Sequence, residues 1–217
     1  MLHRIKPATI SMLRPLTRTL IRSRIHPNTL TFAGLGVSVA AGCAYAWGGL
    51  VWAGFVLLLS GLFDLLDGAV ARESGRVSRY GAFLDSTLDR YAEIAVFLGI
   101  LLRFGGEPVT QVAVLLAVAG SLMVSYTKAR AEGLGQEVSG GMLQRPERVV
   151  LLVLASFFGE PGLRFVLWFL AVFTNITSVQ RMVLVASGMK SGRRAEENDR
   201  SDPVGRDNRD AEPAPRH

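Results

Sequence analysis

The sequence predicts an all-α, polytopic membrane protein: six transmembrane helices preceded by an N-terminal amphipathic helix lying in the membrane interface. Three observations lead there. The chain is 49% hydrophobic over 217 residues yet carries 24 Lys and Arg, which suits apolar spans with basic flanks. The apolar residues fall into six runs, judged against the ~20 residues that cross a bilayer. Gly48-Gly49, Gly105-Gly106 and Gly159-Glu160-Pro161-Gly162 mark the turns on one side.

The elements follow in order. Over residues 2–24, Ile5, Ile10, Leu13, Leu16, Leu20 and Ile21 interleave with Arg4, Lys6, Arg14, Arg18 and Arg22. That is a basic amphipathic helix, limited or kinked by Pro7 and Pro15. His26-Pro27-Asn28 breaks it, and Asn28 is placed to cap the next helix. Spans are expected at 28–48, 50–73, 79–103, 108–131, 146–159 and 162–187, the fifth being short. The organisation is then an interfacial helix at 1–26, a six-helix catalytic domain at 27–190 and a disordered charged tail at 191–217. The first long apolar run begins only near Asn28, after several basic residues, so the N-terminus does not read as a cleaved signal peptide.

Charge asymmetry sets the topology. One side receives the N-terminal helix, Arg72, Arg76, Arg79, Lys128, Arg130, Arg145, Arg148, Lys190, Arg193 and Arg194; the other receives Arg103 and Arg164. Both termini are therefore expected in the cytoplasm, with the chain in the cell membrane. A net charge of +6 invites a nucleic-acid reading. The basic residues lie between long apolar stretches, so they serve as topology determinants and contacts for anionic lipid, and no nucleic-acid partner is expected. The lone cysteine, Cys43, sits in an apolar run and excludes a disulfide within the chain.

Four carboxylates stand out against this apolar background. Asp64 and Asp67, three apart, lie near the cytoplasmic end of the second span; Asp85 and Asp89, four apart, lie near the start of the third. These spacings put each pair on one helical face. A short loop joins the two spans, so they are expected to pack as antiparallel neighbours and to bring all four carboxylates into one cavity. Such a cluster partly out of water is strongly unfavourable alone. Divalent cations relieve it, with carboxylate oxygens natural ligands of Mg²⁺ and Mn²⁺ a substitute. Two ions about 4 Å apart are a standard device for substitution at phosphorus.

Other readings compete. The aspartates pair with Arg72, Arg76, Arg79 or Arg90 in a purely structural role, or they line an ion-coupled transport path. Against transport, the carboxylates cluster at one membrane face, and no second acidic station is expected deeper. Gly68 follows Asp67 directly and Gly81 lies one turn before Asp85. Each either lets a ligand approach the backbone or serves a helix contact.

Together these residues read Asp64-x2-Asp67-Gly68-x2-Ala71-Arg72-x8-Gly81-x3-Asp85-x3-Asp89. The pattern resembles the complete signature of the CDP-alcohol phosphatidyltransferase (phosphotransferase) family, and with the span layout the resemblance covers about residues 1–187. It implies that Asp64, Asp67 and Asp85 bind the metal ions, with Asp89 a further ligand or the general base. It implies that Gly68, Ala71, Arg72 and Gly81 shape a CDP pocket, joined by Asn28 and Thr31. The implied donor is CDP-diacylglycerol, and a homodimer is expected on the same ground.

The acceptor is read from cations on the same side: Lys128, Arg145, Arg148 and Arg181, the last within an apolar span. Convergent cations are what a phosphorylated acceptor requires. The alternative for the first three is an ordinary basic flank. The Lys-Ala-Arg-Ala-Glu and Arg-Pro-Glu-Arg segments resemble the phosphatidylinositol-phosphate synthase branch, which implies inositol 1-phosphate as acceptor. Phosphatidylglycerophosphate synthases are the nearest rival. They typically carry Pro and Lys around the last aspartate, where this chain has Ser86-Thr87-Leu88-Asp89-Arg90.

Overall fold

The computed structural model describes residues 6–136 and 143–201, with side chains described over 14–136 and 143–188. Within them lie seven helices and no strand: α1 (Lys6–Arg22), α2 (Pro27–Trp47), α3 (Leu50–Glu73), α4 (Arg79–Arg103), α5 (Pro108–Glu132), α6 (Arg145–Phe157) and α7 (Gly159–Ser201). Positions 1–5 of the expected interfacial helix and 202–217 of the expected tail lie outside the described residues. α7 runs on to Ser201, past the boundary at 190 where a disordered tail was expected to begin.

Local chemistry accounts for the boundaries. His26, not Asn28, is the N-cap of α2: its Nδ1 accepts from Asn28 N at 3.2 Å. Pro27 then occupies the first turn, where its missing N–H costs nothing. Ser78 caps α4, its Oγ accepting from Gly81 N at 2.9 Å. α6 opens with a reciprocal cap in which Gln144 N donates to Glu147 Oε2 at 3.0 Å. Gly75 and Gly159, with φ of 67° and 71°, turn the chain after α3 and at the first residue of α7 in the left-handed region that favours glycine.

Among the described residues, four helices are long and apolar enough to cross a membrane: Pro27–Trp47, Leu50–Glu73, Pro108–Glu132 and Gly159–Gly188. The protein is thus a multi-pass membrane protein. Six spans were expected, and by length and composition alone α4 and α6 fall outside these four. α4 has the length, at 25 residues, but carries Asp85, Asp89, Arg90 and Glu93. α6 has 13 residues, about 20 Å of helix against a hydrocarbon core of ~30 Å.

Packing is organised around α2, which lies against both α3 and α4, while α5 packs on α7 and α6 on α3 and α7. Small residues let the backbones close. A Cβ on Gly99 of α4 would stand 1.9 Å from Gly42 O of α2, and one on Gly120 of α5 would stand 2.1 Å from Thr174 Oγ1 of α7. Tyr45 Oη meets Ser156 Oγ at 2.6 Å within this core. At the end away from the aspartates, Arg103 donates to Gly48 O and to Glu160, and Arg164 pairs with Glu107 and Glu160. At the aspartate end, α1 docks on α3. Thr17 Oγ1 donates to Glu73 Oε2 at 2.9 Å, and Leu20 and Ile21 pack on Leu30, Leu66 and Val70.

Candidate active site

α3 and α4 are not the packed neighbours that the short loop suggested. They scarcely touch, and both lean on α2 instead. The reason is on their facing surfaces. Facing rows of carboxylates have no favourable direct contact, whereas the small residues of α2 give each helix an apolar seat. A cleft therefore opens between the acidic ends.

The carboxylates still converge. Asp64, Asp67 and Asp85 each place a ligand oxygen so that the three lie within 4.8 Å of one another. Asp89 stands beside this trio rather than in it. Arg145 of α6 joins them: its Nη1 lies 2.7 Å from Asp64 Oδ1 and 2.7 Å from Asp89 Oδ1. Arg90 is a more distant partner of Asp89, at 3.8 Å.

Arg145 leaves part of the cluster unanswered. Asp67 Oδ2 and Asp85 Oδ1 are buried and meet no hydrogen-bond donor among the described residues. Buried carboxylate oxygens without a donor are costly. A hard divalent cation, which takes oxygen ligands at 2.0–2.6 Å, is the species this donor set fits.

Gly68, Ala71, Arg72 and Gly81 of the signature line one cavity of about 280 Å³ with Asp67 and Asp85, and Asn28 and Thr31 line it too. Capping by His26 leaves the Asn28 side chain free of helix duty. Pro27, Arg76, Val77 and Ser78 line the same cavity and were not singled out from sequence. Arg76 was expected to be a topology charge and Pro27 a helix break. A second, narrower pocket holds Thr31, Gly34, Ser60, Asp64, Asp67, Asp89 and Arg145. An apolar groove of about 500 Å³ between α3 and α6, walled by Leu58, Leu62, Leu65 and Val149, reaches Asp64 and Arg145 at its edge.

Gly68 lies against the guanidinium of Arg72. A Cβ there would stand 3.2 Å from Arg72 Nη1. Gly68→Ala should shift the guanidinium by a few tenths of an ångström and raise the KM for the CDP-linked donor about two- to threefold, with less change in kcat. Initial-rate kinetics against donor concentration checks this.

The four expected acceptor cations divide. Arg145 is in the site. Lys128 is exposed and pairs with Glu132 at 3.7 Å. Arg181 is 5% exposed, and its Nη1 donates to Val124 O at 2.6 Å. Arg148 is 2% exposed and is gripped by Glu93 of α4, at 2.8 Å and 3.1 Å. Glu93 also corrects the expectation that no acid lies deeper than the four aspartates. It sits one turn beyond Asp89, but it is neutralised by Arg148, so it forms no free station on a transport path.

Known proteins resemble most of the chain. The Mycobacteroides abscessus phosphatidylinositol phosphate synthase is 40% identical over 177 residues, covering 77% of this chain and 80% of that protein. The archaetidylinositol phosphate synthase of Pyrococcus horikoshii is 33% identical over 193 residues, covering 88% of this chain and all of its own. The crystal structure of the Mycobacterium tuberculosis phosphatidylinositol phosphate synthase with CDP-DAG bound superposes with a TM-score of 0.73 at 37% identity, covering 79% of this chain and 92% of that one. The same enzyme in complex with manganese and citrate gives a TM-score of 0.73, with 79% and 87% covered. The family model for CDP-alcohol phosphatidyltransferases matches residues 24–185, and the chain belongs to that family.

Proposed function

We propose that this enzyme of phospholipid biosynthesis transfers a phosphatidyl group from CDP-diacylglycerol to inositol 1-phosphate, releasing CMP. The observation that carries the reading is the contiguity of the aspartate trio with a cavity lined by Gly68, Ala71, Arg72 and Gly81. A relative whose structure holds CDP-DAG supports the donor. The curated relatives above differ in the lipid part of their names but agree on inositol phosphate, which supports the acceptor.

The chemistry follows from the residues. Asp64, Asp67 and Asp85 would hold the metal, Mg²⁺ or Mn²⁺ and two ions in our reading, with Asp89 placed as further ligand or base. When bound, the metal supplies charge neutralisation at the pyrophosphate. Asn28, Thr31 and Arg72 hold the CDP portion, and the apolar groove between α3 and α6 takes hydrocarbon from the bilayer. Asp89 accepts the proton of the acceptor hydroxyl. That oxygen forms the new bond to the lipid-bearing phosphorus as the bond to CMP breaks. Arg145 binds the acceptor phosphate, supported by Lys128 and Arg181 from the same side.

The membrane frame completes the reading. α4 and α6 join the four apolar helices as the remaining spans, and α1 lies in the interface with Arg14, Arg18 and Arg22 toward anionic lipid. Both termini and the site face the cytoplasm, where a polar acceptor arrives, and two copies associate as a homodimer.

An acceptor panel tests the assignment: inositol 1-phosphate, glycerol 3-phosphate, free inositol and serine, each with CDP-diacylglycerol in liposomes. CMP release is expected with inositol 1-phosphate, to vanish with EDTA and to return with Mg²⁺ or Mn²⁺. Preference for glycerol 3-phosphate would replace inositol phosphate as the acceptor.

A further inference from the structure

α6 is held in different ways at its two ends. Its last turn is packed solid. Ser156 is fully buried, and its Oγ donates to Leu152 O at 2.8 Å. That hydroxyl has one hydrogen to give, so its 2.6 Å contact with Tyr45 Oη of α2 is a bond donated by the tyrosine. Gly54 of α3 closes on the same residue. A Cβ there would stand 2.9 Å from Ser156 Cβ and 3.4 Å from Val153 O. Beside it, Phe157 meets Phe55 edge to face, with ring centroids 5.3 Å apart. α2, α3 and α6 thus converge on one serine.

The first turn of α6 is open by comparison. α4 and α6 scarcely touch. A cavity of about 30 Å³ lies between them, lined by Arg145 and Arg148 from α6 and by Glu93 from α4. The apolar groove of about 500 Å³ runs along the other flank of α6, against α3. Arg145 lines both spaces and the aspartate pocket as well. Ion pairs from the two arginines to Asp64, Asp89 and Glu93 bridge this open ground. An anion arriving beside the arginines competes for those pairs, so they are poor guides to the angle of α6 once substrate is present. The far end has no such competitor. From Ser156 back to Arg145 is 11 residues, about 16 Å of helix. Where Ser156 is seated therefore decides where the arginines stand.

We infer that Tyr45, Gly54 and Ser156 are positioning residues: they form the pivot that sets the angle of α6, and so the place where Arg145 and Arg148 meet the acceptor phosphate. This rests on the proposed transferase function and deepens its acceptor half. The nucleotide half is built apart from the pivot. The cavity that takes CDP is lined by residues of α2, α3, α4 and the loop between α3 and α4, with none from α6.

The test uses the full-length enzyme in liposomes. CMP release is read against inositol 1-phosphate concentration, and inhibition by added CMP is read beside it. The variants are Gly54→Ala, Ser156→Gly, the two together, and Tyr45→Phe. In Gly54→Ala the new methyl group meets Ser156 Cβ and tilts the helix. The acceptor KM should rise about fivefold, while the CMP inhibition constant stays within about twofold. Ser156→Gly vacates the opposing position. The double variant should therefore return to the acceptor KM of Ser156→Gly alone, a coupling expected of two residues in contact. Tyr45→Phe removes the hydroxyl and keeps the ring. It should raise the acceptor KM about two- to threefold with CMP inhibition again spared, and it carries the test if Gly54→Ala does not accumulate as folded protein. An unchanged acceptor KM in Gly54→Ala or in Tyr45→Phe would overturn the pivot. So would a double variant no better than Gly54→Ala, or equal rises in both constants. The wild-type arm separates the two levels of inference. If it turns over another phosphorylated alcohol instead, the acceptor assignment fails while the pivot is still read on that alcohol.

Discussion

Asp89→Asn is expected to lower CMP release by about 10²–10⁴-fold, the range over which a positioned general base contributes. The substitution keeps the size of the side chain and removes its ability to take a proton. Its position sets it apart from the close trio. Asp64, Asp67 and Asp85 form the close trio, and Asp89 stands one turn further along α4, held by Arg145. Asp89→Asn should therefore retain most of its Mn²⁺ binding while losing turnover. Initial rates and ion binding on the same preparation give both readings. Full activity in Asp89→Asn would remove the base from the account and leave Asp89 as a counter-ion for Arg145.

The second large effect concerns the bundle. Gly99→Val should prevent accumulation of folded protein, because even a single Cβ there would stand 1.9 Å from Gly42 O and 2.5 Å from Gly42 C. The obstacle is backbone, so no rotamer change relieves it. Overpacking a close contact costs typically about 1–3 kcal/mol and more where nothing yields. α2 carries both acidic helices, so separating α2 from α4 also opens the site. Gly36→Ala is the matched control on α2. Nothing lies within 4 Å of a Cβ at that position, and alanine favours helix by about 1 kcal/mol. Monodispersity and thermal unfolding in detergent should show Gly99→Val lost and Gly36→Ala at least as stable as the parent.

Much of this molecule was legible in its sequence because its punctuation is local. Pro27, Gly48-Gly49, Gly105-Gly106 and Pro108 place helix ends within a residue or two, since each fixes or frees its own backbone torsions. The grouping of residues around the cavity beside the aspartates was legible too. Gly68, Ala71, Arg72 and Gly81 share two helix ends joined by a short loop, and with Asn28 and Thr31 they line a single cavity. What failed depended on a third element. Spacing within α3 and α4 indicates which faces carry acid, but not that α2 would take both helices and hold them apart. Asn28 lost its capping role to His26 because capping is decided by one residue's register. Arg145 and Arg148 read alike from their flanks, and only the depth of Glu93 distinguishes them. A signal for Glu93 was present: it continues the stripe of Asp85 and Asp89 by one more turn into an apolar helix.

The central claim is that the aspartates between α3 and α4 bind the divalent metal that serves transfer from the CDP-linked donor. Asp67 is the most buried of the trio, 5% exposed with Oδ2 lacking a donor among the described residues. The direct measurement is a Mn²⁺ titration of purified wild-type protein and Asp67→Asn, following the free ion by electron paramagnetic resonance. Saturable binding in the wild type that is lost in Asp67→Asn is the expected result. Equal binding by both proteins would contradict the account.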